Sequence, residues 1–296
     1  MWSYVVPVLL DLPSSIKDGD GTTYNILLHS QRGHGFSTLP PPAEGQERLT
    51  TIPLLATDIV NLLEAINIST PVHSVIGVSQ GGAAALAFAT LYGDKTRSIV
   101  VCDTAAQTPA GNNEAWEERI RLASGKLAGA ASPADLEEYA QQIGMRKLAE
   151  VTVSRWFPEG SACHSSLSGN ETANVRTFWV KEMISRTRLN GFIHGARALG
   201  SYDVLALPSP VDHGNIKTLF TTNVAKVLLL AGKLDGGGKV GNGLRALREK
   251  WNETIRRAEG QSYPSVDFVE LDNSGHLPMV DSPQAFCGAV VSFLSS

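Results

Sequence analysis

A chain of 296 residues, 43% hydrophobic and 18% charged, is long enough for an α/β core with an inserted subdomain and apolar enough to bury it. Against 29 Asp and Glu stand 25 Lys and Arg, a net charge of −4 with no basic block, which argues against nucleic acid or an acidic membrane as partner. Three widely spaced cysteines (Cys102, Cys163, Cys287) spell neither a disulfide framework nor a metal site, so a reducing, cytoplasmic setting is expected.

The apolar run 4–10 is too short to span a membrane, is interrupted by Pro7 and has no basic residue before it, so it reads as neither anchor nor signal peptide. Residues 25–29 form the first β-type run. Residues 51–66 carry Leu54, Leu55, Ile59, Leu62 and Leu63 at helical spacing, and an Ala-rich apolar helix is expected over 82–91. Further strands are expected at 74–78, 98–103, 227–231 and 265–271. Strands alternating with helices predict a mostly parallel sheet covered on both faces.

The alternation stops between Asp103 and Val227. Helical patterns at 116–125, 132–142 and 178–198, with no confident strand among them, read as a helical insertion that Pro208, Pro210 and Gly214 close. The expected division is therefore a core of residues 1–105 and 212–296 with a helical cap of residues 106–211. Residues 40–42 and 236–243 read as local loops.

The sharpest chemical feature is Gly77-Val78-Ser79-Gln80-Gly81, placed between a strand and a helix. A strand-to-helix turn this tight needs small neighbours, strains the serine backbone and exposes its hydroxyl at the carboxyl end of the sheet. It also aims the Gln80 backbone N–H at an oxyanion formed there. A serine needs a base, and the base needs an orienting carboxylate. Downstream, one strand leads into Gly232-Lys233-Leu234-Asp235 and the next into Asp272-Asn273-Ser274-Gly275-His276. Ser79, Asp235 and His276 are thus the expected nucleophile, orienting acid and base, with Gln80 as an oxyanion donor.

These motifs resemble those of α/β-hydrolase-fold serine hydrolases, and more closely of 3-oxoadipate enol-lactonases. Gln31-Arg32-Gly33-His34-Gly35-Phe36-Ser37 and the run from Gly77 to Gly82 carry the broader likeness. Val100-Val101-Cys102-Asp103-Thr104-Ala105-Ala106, Arg155-Trp156-Phe157-Pro158 and Asn190-Gly191-Phe192 carry the narrower one. The resemblance implies an α/β-hydrolase fold with a helical cap, a small lactone or ester substrate and an acyl-enzyme on Ser79, with no cofactor and no metal. Trp156 and Arg155 are implied as substrate-binding cap residues, Arg155 because the substrate carries a carboxylate. Arg32 and His34 are given supporting rather than catalytic roles. A homo-oligomer is left open.

The chain departs from this pattern at its start. Met1-Trp2 resembles a helix that in such hydrolases follows three strands and the loop donating a second oxyanion N–H. An interior gap in the sheet and weakened oxyanion stabilisation are therefore expected, unless residues 4–10 supply a substitute strand. Ser30 stands where an acidic residue is usual. An impaired hydrolase with a binding role, and an esterase or lactonase of other specificity, are the alternatives carried forward. Gly236-x-Gly238-x-x-Gly241 follows a strand but sits late in the chain, with Glu270 and Asp272 too distant for a dinucleotide site.

Overall fold

The computed structural model describes residues 1–11, 24–40, 49–125, 132–164, 171–207, 224–257 and 265–296. In chain order come α1 (Val6–Leu10), α2 (Ile52–Ala65), β1 (Val75–Val78), α3 (Gln80–Tyr92) and β2 (Ser98–Cys102). The inserted helices follow: α4 (Asn112–Ser124), α5 (Pro133–Tyr139), α6 (Met145–Trp156), α7 (Glu171–Ser185) and α8 (Leu189–Gly200). The chain then completes β3 (Lys226–Gly232), α9 (Lys239–Arg257), β4 (Ser265–Leu271), α10 (Pro278–Asp281) and α11 (Pro283–Ser295).

The strands pair in the order β1-β2-β3-β4, all parallel, with Val78 beside Cys102 and Cys102 beside Leu230. Because side chains alternate across a strand, Ile99, Val101, Val227, Leu229 and Ala231 face α2, α3 and α9. Val100, Cys102, Leu228 and Leu230 meet Phe286, Val290 and Phe293 of α11 on the other face. The middle strand β2 is buried at every position, as expected of a parallel strand covered on both faces. Parallel pairing also brings the carboxyl ends of all four strands to one edge, where ligands bind in open α/β sheets.

Two expectations at the amino terminus are overturned. Residues 25–29 run without strand pairing, and the sheet ends at β1 with Leu27 and Leu28 exposed. A strand is held by its ladder, and among the described residues no strand lies on the outer side of β1 to supply one. The expected interior gap is therefore an open edge instead. Nor do residues 4–10 substitute as a strand. They lead into helix α1, anchored by the residues just before it: Trp2 packs on Phe286, Tyr4 lies edge-on to Trp179, and Val5 is 2% exposed. Pro7 sits in the first turn of that helix, where its missing N–H costs nothing.

The stretch 236–243 is a loop only over its first glycines. Gly236, Gly237 and Gly238 take positive φ, and from Lys239 the chain is helical. Val240, Leu244, Leu247, Trp251 and Ile255 fall on one face and pack on the core, which outweighs the low helix propensity of Gly241 and Gly243.

Between β2 and β3 the regular structure of the described residues is helical, and the one β-type pairing among them is an isolated bridge between Gln107 and Asp203. The pattern 178–198 divides into α7 and α8. The opening N–H groups of Leu189 and Asn190 are accepted by the Glu137 carboxylate at 3.0 and 3.4 Å. Helix α6 has buried Met145, Leu148, Ala149 and Thr152 at helical spacing, a pattern legible in the sequence but not read as a helix there. Pro208, Pro210 and Gly214, and the expected boundary at 211–212, lie outside the described residues.

Candidate active site

Ser79 ends β1 with φ 53° and ψ −118°, a conformation that non-glycine residues rarely adopt. The turn closes so tightly that a Cβ built on Gly77 would stand 2.0 Å from the Gly81 carbonyl oxygen, so only glycine fits there. Ser79 begins α3, yet its hydroxyl does not cap the helix as a serine at this position commonly does. Its backbone N–H is held by the Cys102 carbonyl at 2.9 Å. Gln80 occupies the first helical position, where backbone N–H groups have no partner within the helix, and its side-chain amide donates to the Gly195 carbonyl of α8 at 2.9 Å.

Asp235 follows β3 and is 6% exposed; His276 lies in the loop after β4. The structure brings the two together, with His276 Nδ1 2.8 Å from Asp235 Oδ2. Hydrogen-bonded to a carboxylate, Nδ1 carries the proton, leaving Nε2 as the basic nitrogen. Trp156, at the end of α6, lies against the imidazole at 5.2 Å between ring centres, and its carbonyl accepts the His276 N–H at 2.9 Å. The inserted helices thus hold the histidine loop directly. A Cβ on Gly275 would stand 2.1 Å from that same carbonyl.

Arg155 is exposed to solvent, yet the protein atoms packed around its head desolvate it. Desolvation, followed by repulsion from Arg119, brings its guanidinium down to about 10, while Asp235 acts in the opposite direction. It stays charged at neutral pH. Arg119 stacks over Trp116 at 4.6 Å, and its Nη1 is buried with no hydrogen-bond partner among the described residues. Two cations on α4 and α6 therefore act on one another beside the Asp235 end of the sheet.

Arg32 and His34 lie in the loop that precedes α2. Arg32 makes a two-pronged ion pair with Asp58 of α2, Nε to Oδ2 at 2.6 Å, and His34 Nδ1 lies 3.2 Å from the Arg32 carbonyl. Ser30 accepts the Ser37 hydroxyl on its carbonyl at 2.7 Å, closing that loop through the backbone.

Sequence reasoning did not single out Asp281, Arg119 or Asp103. Asp281, 2% exposed, accepts the Gly275 and Cys163 N–H groups, each at 2.7 Å, and so ties the histidine loop to the segment after α6. Burial pushes its carboxyl up and those hydrogen bonds pull it back. Its position after His-Leu-Pro-Met-Val carries no signal by itself. Asp103, at the end of β2, is 2% exposed and has φ 46°. Its Oδ1 accepts the Gly232 N–H at 2.8 Å.

A strained serine between a strand and a helix, with a histidine and a buried carboxylate at the ends of later strands, defines an α/β hydrolase in architecture. The chain belongs to the alpha/beta hydrolase family, whose sequence model matches residues 1–289. Its fold is similar to that of an enol-lactonase from Burkholderia xenovorans LB400, at 21% identity and TM-score 0.65, covering 100% of this chain and 86% of that one. It is also similar to a thermophilic esterase from Thermogutta terrifontis, at 23% identity and TM-score 0.57, covering 89% and 77%. A bromoperoxidase from Bacillus anthracis is similar at 15% identity and TM-score 0.60, covering 100% and 87%. None of the curated proteins matches the sequence. Among the described residues no helix is long and apolar enough to cross a membrane.

Proposed function

We propose that this protein hydrolyses a small lactone or ester through an acyl-enzyme on Ser79, with 3-oxoadipate enol-lactone as its substrate. The observation that carries the reading is the 2.8 Å contact between His276 Nδ1 and Asp235 Oδ2 at the same sheet edge as the strained Ser79. Asp235 fixes the tautomer, so His276 Nε2 removes the Ser79 proton as Oγ attacks the lactone carbonyl. The Gln80 N–H receives the developing oxyanion. His276 then returns the proton to the departing enol, which tautomerises to the ketone. Water, activated by the same imidazole, releases the acid. The lactone specificity is supported by Arg155, an exposed cation on which Asp235 and Arg119 both act, whose charge suits a substrate carboxylate. Residues 106–211 act as the cap over residues 1–105 and 212–296 in this reading.

A second reading, an impaired hydrolase, is favoured by the unpaired run at 25–29 and the open edge of β1, which leave the nucleophile strand supported on one side only among the described residues; an oxyanion site weakened by one donor would cost about 10²- to 10³-fold in rate. Hydrolysis of 3-oxoadipate enol-lactone by the purified protein, with Ser79→Ala assayed beside it, separates the two. Turnover that falls by about 10⁶-fold in the variant is expected. Equal rates from the two folded proteins would overturn the enzyme reading, and turnover of simple esters without the lactone would overturn the substrate.

A further inference from the structure

We propose that Asp103 is a neutral carboxylic acid that donates its Oδ2 hydrogen to the Asp235 carboxylate, and so acts as a positioning residue for His276. The inference rests on the reading of Ser79, His276 and Asp235 given above, but its first readout needs no substrate.

The hydrogen bonds themselves make the case. Asp103 Oδ1 accepts the Gly232 N–H at 2.8 Å, whereas Oδ2 is fully buried and has no conventional partner among the described residues. A side-chain hydrogen-bonding interaction couples Asp103 to Asp235, and on Asp103 the oxygen left without a partner is Oδ2. Two carboxylate oxygens cannot bond to one another unless one holds a proton, and an orphaned buried oxygen becomes a satisfied donor once it does. Both residues are buried, at 2% and 6% exposure, so two charges in contact here would pay desolvation twice and repulsion besides.

The surroundings decide which carboxyl keeps the charge. Asp235 has the His276 imidazole at 2.8 Å, and Arg155 on α6 acts on it favourably. Asp103 has only one backbone N–H. Burial first, then the Asp235 charge, push the Asp103 carboxyl well above the usual carboxylate range, and Asp281 after the histidine loop adds to the push. The neighbouring Cys102 thiol is itself pushed up by burial and stays neutral. The proton therefore sits on Asp103. The resulting bond fixes the Asp235 rotamer and spreads the charge that the His276 ring meets at 2.8 Å.

Carbon-13 labelling of the aspartate carboxyls tests this on the unmutated protein. One carboxyl carbon should keep its protonated shift at neutral pH and vanish in Asp103→Asn; ionisation of every aspartate at neutral pH would overturn the proposal. Asparagine tolerates the positive φ, keeps the acceptor for Gly232 and supplies an N–H for Asp235. The His276 titration followed by imidazole NMR should accordingly be unchanged in Asp103→Asn. It should move to higher pH in Asp103→Gly, which removes the donor without straining the backbone. A downward move of about one unit in Asp103→Asn would mean that Asp103 had carried a charge, and no movement in Asp103→Gly would mean that its bond does not reach His276; either result overturns the proposal. If the lactone is hydrolysed, the acid limb of kcat/KM should follow the same order. If it is not, the NMR readouts still decide the proton's place.

Discussion

At the scale of single residues, the site places unusual demands on backbone and charge. Ser79 sits at φ 53° in a turn that requires glycine at position 77, and its hydroxyl forgoes the capping role that would satisfy α3. Arg155 is charged at neutral pH and solvent-exposed. A charge-assisted bond to a substrate carboxylate is worth about 1.5 to 3 kcal/mol. Arg155→Gln should therefore raise KM for 3-oxoadipate enol-lactone by about 10- to 100-fold while leaving kcat within about threefold, and should leave KM for a neutral acetyl ester unchanged. Steady-state kinetics on both substrates check this, and an equal effect on the two esters would remove Arg155 from carboxylate recognition. Asp281 gives a stability test. Its two oxygens satisfy the buried Gly275 and Cys163 N–H groups, and each orphaned group costs about 1 to 3 kcal/mol. Asp281→Ala should lower the unfolding free energy in urea by about 2 to 6 kcal/mol.

At the scale of elements, contacts between backbones join the inserted helices to the sheet edge. Helix α8 approaches the 31–37 loop so closely that a Cβ on Gly191 would stand 1.9 Å from the Gly33 carbonyl oxygen. One turn further along, a Cβ on Gly195 would meet only the Gln80 amide and His34 ring, at 3.2 to 3.3 Å. Backbone cannot yield as a flexible side chain can. Gly191→Ala should destabilise the protein by about 1 to 3 kcal/mol and Gly195→Ala by less, as measured by urea unfolding. Equal losses would show that the α8 contact with the loop is not the tight one. Helices α7 and α8 show how far this level was legible. Their shared apolar pattern over 178–198 was plain, but the break between them is sealed by Glu137, more than 50 residues earlier in the chain. Local pattern cannot report a cap supplied from such a distance.

At the scale of the whole molecule, a sheet with its strongest protection in the middle and an open flank at β1 should not unfold uniformly. Strands β2 and β3 pair on both sides and are almost wholly buried, whereas residues 24–30 pair with no strand. Amide exchange followed by mass spectrometry should be slowest over β2 and β3 and fastest over 24–30, with β1 intermediate. Protection at 24–30 equal to that of β2 would mean that this run joins a sheet in solution.

The strand-turn-helix around Ser79, and the aspartate and histidine beyond the last two strands, could be read from the sequence because each sits in its own local pattern. Alternating apolar runs and flanking glycines are short-range signals. The same was true of the parallel sheet from β1 to β4. Whether residues 25–29 would pair, whether residues 4–10 would coil, and which carboxyls would gather around His276 were decided only by tertiary structure. A strand exists only beside a partner, and a carboxyl's protonation is set by burial and by neighbours brought from distant parts of the chain. Asp103 and Asp235 are separated by more than 130 residues in sequence, and only the pairing of β2 with β3 puts them in contact.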